Sequence, residues 1–394
     1  MESLLKYIKG DRAIWLIMLI LSVLSLLLVY SSIVTLANRY HDGNTFYYLF
    51  RHGFILVCGL GLMYLAHTVK YTYYSKIAQL ALYASLPLLL LTMFKFTGGT
   101  NLNNADRWLT IPIINQTVQP SDLAKLALIM YVARFIALKQ DVIKDFKQGF
   151  LPLLLPIAVV CGLIVRADLS TALMLFVNCI MLMFIGRVSL KHIGVLMLAG
   201  VIAGGMVYGV GKALPGSMPR LDTWISRIDA FVSPSDASMN QSYQVTQSKI
   251  AIAKGGIARL GPGKSVQRNF LPHPYSDFIY SIVLEEYGIL GGLIMLLLYL
   301  VLLFRSIKIA AACPRAFGSL LAIGISFSLV FQALINMGVA VNLFPVTGQT
   351  LPMVSMGGTS IWFTCLAVGI ILSVSVGSEP KDKKTPNRPM THVS

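Results

Sequence analysis

Long apolar blocks separated by polar stretches dominate this chain, a pattern typical of a polytopic membrane protein. A helix needs roughly 20 consecutive apolar residues to cross a bilayer. Runs close to that length cover residues 13–34, 53–69, 77–94, 123–138, 150–165, 171–186, 193–210, 278–304, 317–340 and 361–376. We therefore predict an all-α integral membrane protein of about ten transmembrane helices. A large extracytoplasmic loop, 211–277, is predicted between helices seven and eight.

The composition supports a membrane protein with one domain. Of the 394 residues, 56% are hydrophobic and only 12% are charged, a balance expected where lipid covers most of the surface. The first run is longer than the apolar core of a signal peptide and lacks a small-residue cleavage site, so we expect it to remain as a helix. We predict a single membrane domain, 1–376, and a disordered cytoplasmic tail, 377–394.

The distribution of Lys and Arg predicts the orientation. The termini and loops on one side carry 17 of these residues, whereas the short loops on the other side carry 5. Long loops count little in the positive-inside rule. Both termini are therefore predicted to face the cytoplasm and the long loop to face outward. The net charge of +16 follows mainly from this bias and does not indicate nucleic acid binding, while basic residues in the outer loop suit an anionic partner.

The five cysteines lie in or beside apolar runs, and none lies in the long outer loop: Cys58, Cys161, Cys179, Cys313 and Cys365. We therefore predict no structural disulfide and no metal site.

Three carboxylates mark the junction between the long loop and the eighth apolar run. Asp277 is either an N-terminal helix cap or a carboxylate at the outer membrane surface that takes a proton from a substrate. Glu285 and Glu286 follow about 12 to 13 Å deeper at 1.5 Å per residue. Carboxylates at that depth need a partner or a polar cavity, so this pair is either structural or part of a cavity.

Further charged residues are predicted at the same outer face. Asp122 and Lys125, three residues apart on one helix face, form a local ion pair or place a cation near a phosphate. Asp168 lies in a short turn, where a capping role is the alternative to a functional one. Arg51, with His52, is predicted to begin the second helix.

Three further segments are predicted on the outer side. Residues 342–360 hold several Pro and Gly residues and no charge, so this backbone must be buried in protein or line a cavity, and we infer a re-entrant loop. In the long loop, Leu221 to Val232 has the spacing of an amphipathic helix. The nearby "ARLGPGKS" approximates a phosphate-binding loop, but no βαβ unit precedes it, and we expect a flexible basic loop instead.

Four stretches in sequence order carry a family resemblance: "QPSDLAKLAL", "RLDTWISRIDAFVSPSDASMNQSYQVTQSKIAIAKGGI", "PHPYSDFIYSIVLEEYGILGG" and "FPVTGQTLPMVSMGGTS". They resemble the SEDS family, the shape, elongation, division and sporulation proteins of the FtsW and RodA type, from about Arg51 to Ser360. Asp122 stands where the family more often has Glu, and "RADLST" lacks the Pro and Gly of the family's "QPDLGT". The fourth stretch is closer to the division branch, FtsW, than to the elongation branch, RodA.

The resemblance implies a peptidoglycan glycosyltransferase in the cytoplasmic membrane that polymerises lipid II, an undecaprenyl-pyrophosphate-linked disaccharide-pentapeptide. It also implies a class B penicillin-binding protein and other divisome proteins as partners, at the division septum. Asp277 matches the family's essential Asp, while Lys125 and Asp168 match its other charged positions. Substrate-binding residues are also expected in the large loop, at Gln244, Gln247 and Ser248.

Together these observations give a mechanistic hypothesis. Asp277 is the general base, and Lys125, with either Arg51 or a cation of the long loop, stabilises the pyrophosphate leaving group. We assign Asp122, Glu285 and Glu286 to structure or to the cavity. No cofactor is required, although a divalent cation assisting the pyrophosphate is left open.

Two other classes of function fit the same pattern. A lipid II flippase would also hold charges in a helical bundle, but it should need them across the whole membrane depth. A division scaffold that recruits and activates the transpeptidase is compatible with catalysis and would not need Asp277.

Overall fold

The computed structural model describes residues 9–34, 36, 44–93, 109–111, 116–213, 219–232, 239–257 and 260–378. Its helices are α1 Arg12–Ser32, α2 Thr45–Thr68, α3 Tyr71–Met93, α4 Pro120–Leu138, α5 Leu151–Ala167, α6 Leu169–Ile185, α7 Leu190–Ala213, α8 Pro219–Val232, α9 Met239–Gly255, α10 Ile279–Ala312, α11 Ala316–Ala340 and α12 Thr359–Ser378. A short antiparallel hairpin of β1 Leu109–Ile111 and β2 Gln116–Val118 precedes α4. The predicted tail lies, beyond Ser378, outside the described residues.

The all-α membrane fold is confirmed. Within the described residues, eight helices are long and apolar enough to cross a membrane, and Leu169–Ile185 is a shorter apolar helix. Helix α4 is not among the eight, because it carries three charged residues, Asp122, Lys125 and Arg134, although the rest of it is apolar. The total of ten spanning helices and their orientation stay predictions.

Helix α2 begins earlier than the sequence indicated. Asn44 caps it by accepting a 3.2 Å hydrogen bond from the Tyr47 amide, so the helix starts at Thr45. The prediction that Arg51 and His52 begin this helix was therefore wrong, because both lie almost two turns inside it. The polar and aromatic first turns hid this start from a search for apolar runs.

Helix α4 forms the centre of the bundle. Twelve of its 19 residues are buried, because α3, α5, α6, α11 and α12 pack around it. In contrast, only 6% of the most apolar 18-residue stretch of α7 is buried against the rest of the protein, so α7 lies at the periphery. The charged residues of α4 are therefore held inside protein, where polar neighbours replace water.

Two helices lie within the predicted long loop. Helix α8 corresponds to the predicted amphipathic helix and lies beside α7 and α9. Helix α9 packs closely on α10, since a side-chain carbon added at Gly255 would lie 1.9 Å from the Leu284 carbonyl oxygen. The described part of the loop thus contains two helices that pack on neighbouring helices.

Helix α10 is interrupted near its start. Gly288 has φ 68° and ψ −170°, a conformation that is essentially restricted to glycine. Residues 279–287 and 289–312 are therefore two helical pieces, and Glu285 and Glu286 lie near the end of the first piece. Apart from the glycine itself, nothing in the residues of this run indicates the break.

Candidate active site

The irregular segment 341–358 between α11 and α12 is buried in its second half, as predicted, whereas Val341, Leu343 and Phe344 in its first half are exposed. Gln349 and residues 351–355 are buried. The Ser25 hydroxyl donates to the Val354 carbonyl at 2.9 Å and also contacts the buried His52 ring at 2.8 Å. Tyr299 donates to the carbonyl of Pro352. Side chains from α1, α2 and α10 thus hold the segment from the bundle side, so we name residues 341–358 the buried segment.

Asp277 lies in a stretch that docks onto the buried segment. Three consecutive carbonyls of this stretch accept hydrogen bonds: Tyr275 from the Met356 amide at 2.9 Å, Ser276 from the Ser355 hydroxyl at 2.6 Å, and Asp277 from the Asn336 side-chain amide at 2.9 Å. The carboxylate of Asp277 is half-buried and accepts a 2.8 Å bond from its neighbour's hydroxyl, Ser276 Oγ. The backbone is therefore fixed while the carboxylate keeps contact with solvent.

Gly348 lies between Asp277 and a cation from the outer helices. A side-chain carbon at position 348 would lie 3.6 Å from Asp277 Oδ2 and 3.9 Å from a terminal nitrogen of Arg227. Arg227, on α8, also donates a 3.3 Å bond to the Thr347 carbonyl. Gly348 has φ 68°, so its backbone conformation favours glycine, whereas both neighbours would be at ordinary van der Waals distance from a side-chain carbon. This contact brings the long loop to Asp277.

Asp168 caps α6 and also joins the buried segment. Its Oδ1 accepts a 3.2 Å bond from the Thr171 amide, which is the capping role expected from its turn position. Its Oδ2 accepts a 3.1 Å bond from Gln349 Nε2, which also donates to Thr171 Oγ1 at 2.9 Å. Asp168 is 7% exposed, so the capping carboxylate is committed to the fold.

Lys125 reaches the same segment from α4. Its ammonium lies 3.5 Å from Asp122 Oδ1 and donates a 3.0 Å bond to Gln332 Oε1. Gln332 in turn donates to the Thr350 carbonyl at 2.9 Å. The predicted ion pair is present, and it is part of a chain of contacts that ends at the buried segment.

A small open groove runs beside this ion pair. Asp122, Lys125, Gln332, Thr350 and Ser360 supply its polar groups, together with Ser328 and Thr364, and most of its remaining wall is apolar: Leu126, Ile129, Ile325, Leu329, Pro352, Phe363 and Ala367. A cation and an amide beside a mainly apolar wall match an amphipathic ligand that has an anionic head and a hydrocarbon tail. The buried segment, through Gly348 and Thr350, links this groove to Asp277.

Glu285 and Glu286 are buried and bind the end of the outer loop. Glu285 accepts bonds from the Val266 amide at 3.0 Å, from the Gln267 amide at 3.2 Å and from Ser265 Oγ. Glu286 accepts from the Ser265 amide at 3.2 Å and from Ser31 Oγ. These contacts agree with a structural assignment for the pair.

The same contacts correct the expectation of a flexible basic loop at "ARLGPGKS". Residues 260–268 are fixed to α10: the Leu260 amide donates to the Glu285 backbone carbonyl, and the Ser265 amide, at the end of the motif, donates to the Glu286 carboxylate. The break at Gly288 also frees helical carbonyls, and the Gly261 amide donates to the Glu286 carbonyl at 3.0 Å. Ala258 and Arg259 lie outside the described residues.

The remaining predicted residues lie in other parts of the fold. Ser248 is 1% exposed, and its hydroxyl bonds to Ser281 Oγ and to the Ala340 carbonyl, each at 2.6 Å. It therefore joins α9 to α10 and α11. Gln244 and Gln247 are half-buried on α9, and Arg51 is half-buried on α2.

Reasoning from the sequence missed three amide side chains: Gln332, Asn336 and Gln349. They carry no charge, so a search for ionisable residues passed over them, although an amide inside an apolar run is itself a signal. In the part of the chain that the structure describes, no group of three or more His, Cys, Asp or Glu side chains is placed to hold a metal ion.

Comparisons with known proteins place nearly the whole chain among relatives. A family model for cell cycle proteins of the FtsW, RodA and SpoVE type matches residues 11–379. The probable peptidoglycan glycosyltransferase FtsW of Geobacter metallireducens is 35% identical over 370 residues, covering 93% of this chain and 95% of the relative. Stage V sporulation protein E of Bacillus subtilis is 33% identical over 374 residues, covering 94% of this chain and 98% of the relative.

Two solved structures share the fold. One, described as structural coordination of polymerization and crosslinking by a peptidoglycan synthase complex, has a TM-score of 0.72 at 25% identity and covers 94% of this chain and 99% of its own. The rod shape determining protein RodA of Thermus thermophilus has a TM-score of 0.65 at 24% identity, covering 94% of this chain and 98% of its own. At this identity the second match supports the fold alone.

Proposed function

Because the chain belongs to the FtsW, RodA and SpoVE family of cell cycle proteins, we propose that it is a peptidoglycan glycosyltransferase that polymerises lipid II into β-1,4 glycan strands. The observation that carries this proposal is the position of the buried segment. Gly348 lies against Asp277, and Thr350 lines the groove beside Lys125. Two residues span at most about 7 Å, so a carboxylate and a groove for an anionic lipid lie close together.

In the proposed reaction, Asp277 is the general base. Its carboxylate takes the proton from the 4-hydroxyl of the acceptor sugar while that oxygen attacks the anomeric carbon of the donor. The new C–O bond forms as the bond from the anomeric carbon to the pyrophosphate breaks, and the lipid pyrophosphate leaves with the electron pair. Attack opposite an α-linked pyrophosphate inverts the anomeric carbon and gives the β linkage. The energy is in the substrate, so no nucleotide is required.

The leaving group is proposed to lie in the groove. Lys125 supplies a positive charge among its polar groups, and hydrogen bonds from an ammonium to phosphate oxygens are among the stronger ones in proteins. Arg227 adds a second cation beside Asp277. Arg51 remains a candidate for the same phosphates. The apolar wall of the groove suits the first isoprenoid units of the lipid.

The proposed setting follows from the family. The protein is a multi-pass membrane protein, and we propose that both termini face the cytoplasm, that the site faces outward, and that it works at the division septum. A class B penicillin-binding protein is the proposed partner that crosslinks the product, with other divisome proteins around it. A divalent cation assisting the pyrophosphate stays open, and no step of the proposed reaction depends on one.

Replacing Asp277 by Asn tests the proposal. General-base catalysis is typically worth about 10² to 10⁴ in rate, so Asp277→Asn should lower glycan polymerisation by that factor without loss of folding. The measurement is glycan length and yield from labelled lipid II, using the purified protein with its class B partner. Asp229→Asn is the matched control, because Asp229 lies on α8 and accepts a 2.9 Å bond from Tyr208 that an amide oxygen can also accept.

Each outcome separates the candidate functions. Equal product from wild type and Asp277→Asn would overturn the general-base role. No product from wild type, combined with lipid II translocation in vesicles, would favour the flippase. No product and no translocation, combined with activation of the transpeptidase by the chain, would favour the scaffold.

A further inference from the structure

We propose that Asn336 and Ser355 are positioning residues that hold Asp277 against the buried segment, an inference that rests on the proposed function. Neither residue has its side chain on the groove lining or on the carboxylate of Asp277. Both act on the backbone that carries it. Their role would be to fix where the base stands relative to the substrate.

Asn336 has the donor geometry that this role requires. Its Nδ2 donates to the Asp277 carbonyl at 2.9 Å and to the Gln349 carbonyl at 2.7 Å. A side-chain amide carries two N–H groups on that nitrogen, and each has one carbonyl here. The buried side chain of Asn336 on α11 thus joins the stretch at residues 275–277 to the buried segment and holds both against the helix.

Ser355 makes a similar connection to the carbonyl of Ser276, the residue before Asp277. Its hydroxyl donates to the Ser276 carbonyl at 2.6 Å and accepts a 2.8 Å bond from the Leu351 amide. Because the stretch at 275–277 is not helical, its carbonyls have no repeating partner of their own. Without the side chains of Asn336 and Ser355, the carbonyls of Asp277 and Ser276 would lose these hydrogen bonds. Only the bond from the Met356 amide to the Tyr275 carbonyl would remain of the three.

The predicted effect is on turnover. A displacement of about 1 Å at a reacting group can cost about 10²-fold in rate. Asn336→Ala should therefore lower kcat by about 10- to 100-fold, and Ser355→Ala by a smaller factor. The KM for lipid II should stay within about twofold of wild type, because the groove residues that bind the lipid head are unchanged.

Asn178 provides a matched control. Like Asn336 it is 1% exposed, lies on a core helix, and donates from Nδ2 to a backbone carbonyl, that of Gly324 at 3.1 Å. In both residues Oδ1 lacks a partner among the described residues. Asn178→Ala should lower thermal stability much as Asn336→Ala does, but its kcat should stay within about twofold of wild type.

The test measures kcat, KM for labelled lipid II and thermal unfolding for all three variants, in the full chain with its class B partner. A loss of kcat in Asn336→Ala that only equals the loss in Asn178→Ala overturns the inference, as does a rise in KM at unchanged kcat. If Asn336→Ala does not fold, Ser355→Ala alone tests the inference, and an unchanged kcat in Ser355→Ala overturns the inference. A wild type that makes no glycan sinks the proposed function, whereas an active wild type with a fully active Asn336→Ala sinks only this inference.

Discussion

At the scale of single residues, Lys125 has two separable roles. It lies 3.5 Å from the buried Asp122, and it is one of the polar residues that line the groove. Breaking a buried ion pair by removing one partner is destabilising, because the other charge is left uncompensated. A substitution of Lys125 therefore changes both the fold and the site, and only a paired substitution can separate the two.

Lys125→Met should lower kcat/KM for lipid II by about 10- to 100-fold, since a hydrogen bond to a charged group is worth about 1.5–3 kcal/mol. It should also lower the temperature of unfolding. The double variant Lys125→Met with Asp122→Asn removes both charges and should recover stability without recovering kcat/KM. Recovery of kcat/KM in the double variant would mean that Lys125 serves only to neutralise Asp122.

At the scale of elements, the break in α10 and the loop at residues 260–268 form one unit. Gly288 ends the first helical piece, and the loop then supplies amides to both the backbone and the carboxylates of that piece. Gly255 allows α9 to approach closely enough for this arrangement. The two glutamates thus fix the loop at residues 260–268 to the helical piece that begins just after Asp277.

The two glutamates should differ in their tolerance of an amide. Both oxygens of Glu285 accept hydrogen bonds, so Glu285→Gln places an NH₂ group against existing donors and should cost about 1–3 kcal/mol of stability. Glu286 Oε2 has no partner among the described residues, so Glu286→Gln can turn its NH₂ there at a smaller cost. Thermal unfolding in detergent measures both, and an equal or larger loss for Glu286→Gln would contradict this difference between the two sites.

At the scale of the whole molecule, charge distribution and burial predict one orientation. The proposed site lies at the end of the bundle where α8, the buried segment and the start of α4 meet. The positive-inside rule assigns that end to the outside. A site on the outer face is required for polymerising a substrate that has already crossed the membrane.

Cysteine labelling tests this orientation. Cys58 and Cys313 are half-exposed and are first replaced by Ala, whereas the other three cysteines are buried. Thr223→Cys on α8 should then react with a membrane-impermeant thiol reagent in spheroplasts. Lys144→Cys, exposed between α4 and α5, should react only after the membrane is permeabilised. The opposite pattern would reverse the orientation.

The helices of the bundle were predictable from the sequence, because lipid requires long apolar runs and each run therefore records one helix. Ten predicted runs correspond to α1–α7 and α10–α12. Their ends differ by at most three residues, except at the starts of α2 and α3 and at the end of α10, where the helix extends six to eight residues beyond the run. Four sequence motifs were also sufficient to indicate the family. Charged candidates such as Asp277 and Lys125 were found because a charge beside an apolar run is conspicuous.

Only the tertiary structure decided which of these residues meet. The groove, the contact of Asp277 with Gly348, and the amide side chains of Asn336 and Gln349 depend on the path of the buried segment between helices that are distant in the chain. The break at Gly288 likewise depends on a loop that supplies the missing hydrogen bonds. An apolar run indicates a helix, because burial in lipid requires only hydrophobic side chains. The hydrogen-bond partners of a side chain, in contrast, depend on how several helices pack together.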